Sequence, residues 1–246
     1  MLIGASHKMY LSHAQTVRWM RDVADIVGGQ RTPGVMTFAI PQFPSIPACV
    51  EIGAPAGVAV GAQDLSTDDV GALTGEVSGG VLAELGCRYV EVGHAERRRI
   101  FGETDEVVAA KVHAALRNGL IPILCVGEER RGDAAAAVDH CLGQIAAGLA
   151  AARAAGTGGE IVVAYEPVWA IGAAEPADAE HIRAVCGALR DASSAGGGAP
   201  VIYGGSAGPG LLTQIAGAVD GLFLGRFAHD PAAFRAILDE ATAVAA

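Results

Sequence analysis

No CxxC pair occurs in this chain, and its five cysteines (Cys49, Cys87, Cys125, Cys141 and Cys186) are scattered and odd in number. That argues against a zinc site and against a disulfide framework. The thiols are expected to be reduced and mostly buried, as in a cytosolic protein. Basic residues are scarce as well: 17 Lys and Arg stand against 27 Asp and Glu, a net charge of −10. This balance speaks against general binding of nucleic acid or of an anionic membrane. It leaves room for a small anionic ligand at a locally positive site. The N-terminus has no apolar h-region, since His7 and Lys8 soon follow Leu2-Ile3, and no uninterrupted apolar run is long enough to span a bilayer. A soluble cytoplasmic protein is expected. No GxGxxG fingerprint follows an early apolar run, which counts against a dinucleotide-binding open sheet.

What the chain does have is apolar mass and a rhythm. Half of its 246 residues (51%) are hydrophobic, enough for one large core. Eight short apolar runs recur: Leu2 to Ala5, Val35 to Ile40, Val58 to Gly61, Tyr89 to Val92, Ile121 to Val126, Ile161 to Tyr165, Val201 to Tyr203 and Leu222 to Leu224. Between them lie segments that suit helices: Ala14 to Val27, Ser78 to Leu85, Asp105 to Arg117, Ala134 to Ala154, Ala177 to Ala195, Gly210 to Ala216 and Pro231 to Thr242. Strand and helix in alternation, with strands rich in Val and Ile, mean a parallel sheet covered on both faces. The class is α/β, and eight units in this length match a (β/α)8 barrel. No linker divides residues 1–246, so one domain is expected. The stretch Ala192 to Ala199 reads as a surface connection.

The most informative segment is Ala164-Tyr165-Glu166-Pro167-Val168-Trp169-Ala170-Ile171-Gly172. An apolar strand ends on a carboxylate, and Pro167 keeps Glu166 out of helical backbone angles. Glu166 therefore sits at the C-terminal lip of a strand, where chemistry is done in parallel α/β proteins. Lys8 follows the first strand and His94 the fourth. Each alone reads as a surface lysine or a structural histidine; together with Glu166 they converge on one barrel mouth. His94 opens a short helical turn, Ala95 to Arg99, whose N-terminus disfavours the imidazolium and keeps the ring neutral. Glu96 belongs either to a solvated charge run or to an ion pair with Lys8. Gly204-Gly205-Ser206 and Gly225-Arg226 follow strands seven and eight, where barrel loops commonly bind phosphate through backbone N–H groups. Arg226 adds a cation suited to phosphate.

These residues resemble the triosephosphate isomerase family along nearly the whole chain. The matching stretches include Lys8-Met9, Gly61-Ala62-Gln63, Thr74-Gly75-Glu76, Gly93-His94, Glu96-Arg97-Arg98, Ile100-Phe101-Gly102-Glu103, Cys125-Val126-Gly127-Glu128, Ala164 to Gly172, and Tyr203-Gly204-Gly205-Ser206. The resemblance implies a dimeric barrel that interconverts aldose and ketose phosphates without cofactor or metal. It implies that Glu166 is the base and His94 the neutral electrophile. By the same resemblance Lys8 stabilises negative charge, Glu96 partners it, and Gly172, Ser206 and Gly225 contact phosphate. Pro167 to about Pro176 is similar to a mobile lid, and Thr74 to a loop tip that reaches the partner subunit's site.

The departures from the family pattern concern the pocket wall. The family's Asn-Trp-Lys is Ser6-His7-Lys8 here, the Ser after the histidine is Ala95, the Thr-Gly-Lys-Thr hinge is Ala173-Ala174-Glu175-Pro176, and Arg226 replaces a glycine. The proton-transfer residues are kept while Ser6 leaves room beside the reacting carbon. The expected substrate is therefore a four-carbon ketose phosphate, interconverting L-erythrulose 1-phosphate and D-erythrulose 4-phosphate as similar paralogues do in erythritol breakdown. Glycolytic isomerisation of dihydroxyacetone phosphate and glyceraldehyde 3-phosphate is the alternative, and a non-catalytic sugar-phosphate sensor the more remote one.

Overall fold

Strand propensity and a period-two pattern close the chain into a barrel. The computed structural model describes residues 1–29, 33–194 and 198–245. Strands β1 (Leu2–Ser6), β2 (Met36–Ile40), β3 (Val58–Ala62), β4 (Tyr89–Val92), β5 (Ile121–Val126), β6 (Val162–Tyr165), β7 (Val201–Tyr203) and β8 (Gly221–Leu224) pair in sequence order as one closed barrel. Every pairing is parallel, and β1 closes on β8 with Leu2 beside Gly221. The expected eight-stranded barrel is what forms, and all eight C-terminal strand ends open on one face.

Alternation divides the apolar side chains into two cores. Phe38, Tyr89, Ile123, Val162, Ile202 and Phe223 belong to a cluster that fills the barrel. Ile3, Val90, Val92, Leu124, Val163 and Leu222 belong to the larger cluster under the helices. The inner packing is tight: a Cβ on Gly4 would come within 1.9 Å of the Phe38 ring. Phe38 also lies against Tyr89 and Phe223, with ring centroids 4.7 and 5.9 Å apart.

The helices are α1 (His13–Gly29), α2 (Ile46–Gly53), α3 (Gly79–Glu84), α4 (Ala95–Phe101), α5 (Asp105–Arg117), α6 (Ala134–Gly148), α7 (Ala150–Ala155), α8 (Ala179–Ser194), α9 (Leu211–Ile215) and α10 (Pro231–Ala245). Side-chain caps start several of them. Ser78 Oγ accepts from Val81 N–H, Thr104 Oγ1 from Val107 N–H and Asp133 Oδ1 from Ala136 N–H.

Three expectations change. Helix α2 is not among the expected helices; it carries Pro47 in its first turn, where the missing N–H has no partner to lose. The expected helix Ala134 to Ala154 breaks at Leu149 into α6 and α7. By length and composition the span Ala134–Ala155 is apolar enough to cross a membrane, yet α6 and α7 pack against α5 and α8 on the barrel. Helix α8 begins two residues later than Ala177 and runs to Ser194, into the expected surface connection Ala192 to Ala199, of which residues 195–197 lie outside the described residues.

Candidate active site

All of the site residues named from sequence, namely Ser6, Lys8, His94, Glu96, Glu166, Gly172, Ser206, Gly225 and Arg226, line one cavity of about 320 Å³ at the C-terminal mouth of the barrel. Thr74 does not. It lies exposed in the loop between β3 and α3.

Glu166 follows β6 directly, and its backbone N–H donates to the Val126 carbonyl at 2.8 Å. The chain makes room for its carboxylate, since a Cβ on Gly204 would stand 2.5 Å from Glu166 Oε1. Oε2 is buried and accepts no hydrogen bond among the described residues, although His94 Nε2 lies 3.1 Å away. A buried acceptor left free in this way is poised to take a proton.

His94 caps α4, its Nδ1 accepting from the Glu96 N–H at 3.1 Å. Its Nε2 also lies 2.8 Å from Lys8 Nζ. Two opposing influences act on the ring. Burial works against the imidazolium, while the carboxylates of Glu166 and Glu91 favour it and raise the pKa in the unliganded pocket. Protonating Nδ1 would bring two hydrogens face to face with the Glu96 amide. The amide bond opposes the imidazolium at a defined atom. An accepting Nδ1 corresponds to the neutral tautomer with its hydrogen on Nε2, the atom that also lies near Glu166 Oε2 and the Lys8 ammonium.

Lys8 has an unusual backbone. With Ser206 it is one of two non-glycine residues at positive φ among the described residues (46° and 53°), and both line the cavity. Strain of this kind persists only where surroundings enforce it. At Lys8 the support is Gln63, whose Nε2 donates to the Lys8 carbonyl at 2.9 Å. Lys8 Nζ donates to Glu96 Oε2 at 3.3 Å, which is the ion pair expected between them. Burial disfavours its charge, but Glu91, Glu166 and Glu96 outweigh it and raise the pKa, so the ammonium stays charged at neutral pH.

Helix α4 is held from behind by a buried ionic network. Lys111 Nζ lies 2.6 Å from both Asp64 Oδ1 and Glu103 Oε1, and Arg97 Nη2 lies 2.8 Å from Asp64 Oδ2. Burial pushes the Asp64 carboxyl up in spite of its cations. At Glu103 burial is outweighed by Lys111 and Arg97, which hold its pKa low. The network locks the helix that carries His94 and Glu96.

The segment after Glu166 turns over the cavity through a single 3-10 turn at Val168–Ala170. Trp169 Nε1 donates to Glu128 Oε1 at 2.7 Å, Ser206 Oγ to the Ala170 carbonyl at 2.8 Å, and Arg226 Nη2 to the Gly172 carbonyl at 2.9 Å. Arg226 thus reaches across to the expected lid. Past Pro176, the Ala177 N–H donates to Tyr203 Oη at 3.0 Å, which pins the far end.

His7, adjacent to the site, is fully buried, and neither ring nitrogen has a hydrogen-bond partner among the described residues. It packs edge-on against Trp19, with centroids 4.3 Å apart, and Trp19 Nε1 donates to the Ala228 carbonyl. Burial, with His229 nearby, lowers the His7 pKa to about 3.

Sequence reasoning missed Glu91, Tyr10, Arg99, Phe223 and Phe227, which also line the cavity. For Glu91 the signal was present. It is the carboxylate in Tyr89-Val90-Glu91-Val92, on the inward parity of Tyr89. It is 3% exposed, and Ser6 Oγ donates to its Oε2 at 2.9 Å. Burial raises its pKa.

Comparison with known proteins agrees with this geometry. The family model described as triosephosphate isomerase matches residues 1–241. The chain is 54% identical over 245 residues to a protein of Pectobacterium atrosepticum named L-erythrulose-1-phosphate isomerase, covering 97% of this chain and 95% of that one. It is 43% identical to the triosephosphate isomerase of Alkalilimnicola ehrlichii, with 98% of each chain covered. To that of Cutibacterium acnes it is 39% identical, with 91% of each covered. The barrel, the residues at its mouth and these similarities lead to one conclusion: the chain is a sugar-phosphate isomerase and belongs to the triosephosphate isomerase family.

Proposed function

We propose that the chain interconverts L-erythrulose 1-phosphate and D-erythrulose 4-phosphate by moving a proton between C2 and C3 through an enediol. The observation that carries the reaction type is the convergence of a free carboxylate oxygen (Glu166 Oε2), a ring nitrogen (His94 Nε2) and an ammonium (Lys8 Nζ) within 3.1 and 2.8 Å of His94 Nε2. Glu166 takes the proton from C3. The electrons of that C–H bond form the C2–C3 double bond, and the C2 carbonyl oxygen gains the hydrogen of neutral His94 Nε2. Lys8 balances the negative charge that builds on the oxygens. Glu166 then returns its proton to C2, while the C3 hydroxyl gives its proton to His94 Nε2, which restores the neutral ring, and becomes the carbonyl. The phosphate lies against Gly172, Ser206, Gly225 and Arg226, which line the cavity. Residues 167–176 act as the lid that keeps water from the enediol.

The four-carbon reading is supported by the small Ser6 side chain and by the name of the Pectobacterium atrosepticum relative. Triosephosphate isomerisation is the second reading, favoured by the names of the relatives at 43% and 39% identity. We further propose that the enzyme works in the cytoplasm, in keeping with five free, buried cysteines. We also propose that it is a homodimer through the Thr74 loop, where Val70 and Leu73 leave apolar surface exposed.

Proton exchange tests the proposal. In heavy water the wild-type protein should wash deuterium into the C–H of L-erythrulose 1-phosphate that the reaction breaks, and Glu166→Gln should abolish the exchange. An exchange-inert wild-type protein that still binds the phosphate would instead be a sensor.

A further inference from the structure

Proton transfer as proposed uses Glu166, His94 and Lys8, and leaves Glu91 without a task. A carboxyl group inside a barrel of apolar side chains is costly unless something pairs with it. Glu91 sits on β4 with its side chain on the barrel side, since Tyr89 lies in the inner cluster and Val90 and Val92 in the outer one. One oxygen, Oε2, accepts from Ser6 Oγ at 2.9 Å. Among the described residues Oε1 accepts no hydrogen bond, and no cation lies within salt-bridge distance of the carboxyl. The residue nevertheless lines the cavity.

Its position along the substrate follows from topology. The strands close in sequence order, so β4 faces β8 across the barrel. The proposed phosphate contacts lie in the loops after β6, β7 and β8. A phosphorylated ketose held there, with its reacting carbons between Glu166 and His94, directs its other end toward the β4 wall. In L-erythrulose 1-phosphate that end is a hydroxymethyl group, the one element dihydroxyacetone phosphate lacks.

We propose that Glu91 and Ser6 together form the subsite for this terminal hydroxymethyl group and so select a four-carbon over a three-carbon substrate. This rests on the reading of the site given above. The substrate hydroxyl donates to the free carboxyl oxygen of Glu91, and Ser6 holds the carboxyl in place. A triose phosphate leaves that oxygen unpaired, and a buried site built to bond a hydroxyl rejects an analogue lacking it.

The test compares kcat/KM on L-erythrulose 1-phosphate and dihydroxyacetone phosphate for wild type, Glu91→Gln and Glu91→Leu. Glu91→Leu should lose about 10²- to 10⁴-fold on the four-carbon substrate and stay within a few-fold of wild type on the triose. Glu91→Gln, which keeps an acceptor, should fall between. Equal losses on both substrates, or no loss on the tetrulose, overturn the subsite. Binding supplies a readout independent of turnover. Calorimetry should find erythritol 4-phosphate bound at least about tenfold more tightly than glycerol 3-phosphate by wild type, with the preference gone in Glu91→Leu. A preference unchanged in the variant overturns the proposal. The two levels fail differently: a wild type that turns over only the triose defeats the four-carbon reading, whereas a tetrulose-specific wild type with equal losses in Glu91→Leu defeats the subsite alone.

Discussion

In the proposed reaction Glu166 and His94 carry most of the chemistry, and each is set by a local feature. Pro167 and the strand end place the carboxylate; the first amides of α4 set the ring's tautomer. Glu166→Asp withdraws the carboxylate by about a bond length, and a misplacement of ~1 Å costs on the order of 100-fold. We expect kcat to fall by about that factor while affinity for a non-reacting phosphate analogue barely moves. A loss of affinity with unchanged kcat would argue for a binding role. His7 makes a different prediction. Its pKa is held near 3 in the fold against about 6.5 when unfolded, so between these values the unfolded chain binds more protons. The stabilisation is full above pH 6.5 and is lost as pH falls toward 3. By pH 5 the loss is about 2 kcal/mol. Thermal melts should record a drop from pH 7 to pH 5 that His7→Leu shrinks; an identical drop in the variant would mean that other groups set the acid limit.

At the scale of elements, α4 and the lid depend on contacts far apart in sequence. Lys111 is buried between Asp64 and Glu103. Replacing it by Met leaves two buried carboxylates sharing Arg97 as their remaining partner, and breaking a buried pair costs up to about 3–5 kcal/mol. Denaturant titration of Lys111→Met should record a loss in that range, together with reduced kcat as α4 and His94 shift. Arg226 ties the strand-eight loop to the Gly172 carbonyl. Arg226→Ala should raise KM about tenfold, as expected for loss of a charged hydrogen bond, with a smaller effect on kcat. A KM that does not change would place the phosphate away from this side chain. The strand ends, and with them the residues that line the mouth, were legible because short apolar runs mark the strands and Lys8, His94 and Glu166 follow them directly. Helix α2 was not, because its prolines signal loop and helix start alike. The hydrogen bonds of Ser206, Trp169 and Arg226 were illegible because they join segments whose approach only the closed barrel brings about. Glu91 was overlooked for another reason: a carboxylate inside an apolar strand looks like an interruption until the strand's inner face is known.

For the whole molecule, the barrel accounts for convergence: parallel strands in sequence order bring Lys8, His94 and Glu166 to one mouth from distant parts of the chain. The same arrangement exposes apolar groups beside it, among them Met9, Val70, Leu73, Ile100 and Phe101. Exposed apolar side chains of this kind fit the proposed partner subunit. Sedimentation should give twice the 24.8 kDa chain mass, and Leu73→Glu should shift it to the monomer with loss of turnover. A fully active monomer would contradict the proposed assembly. Substrate length separates the two readings of this site. The most direct test is kcat/KM for L-erythrulose 1-phosphate beside dihydroxyacetone phosphate, measured on one preparation. A clear preference for the four-carbon ketose is expected. Efficient turnover of the triose with none of the tetrulose would contradict it, and would make Ser6 and Glu91 variations in the wall of an ordinary triosephosphate isomerase.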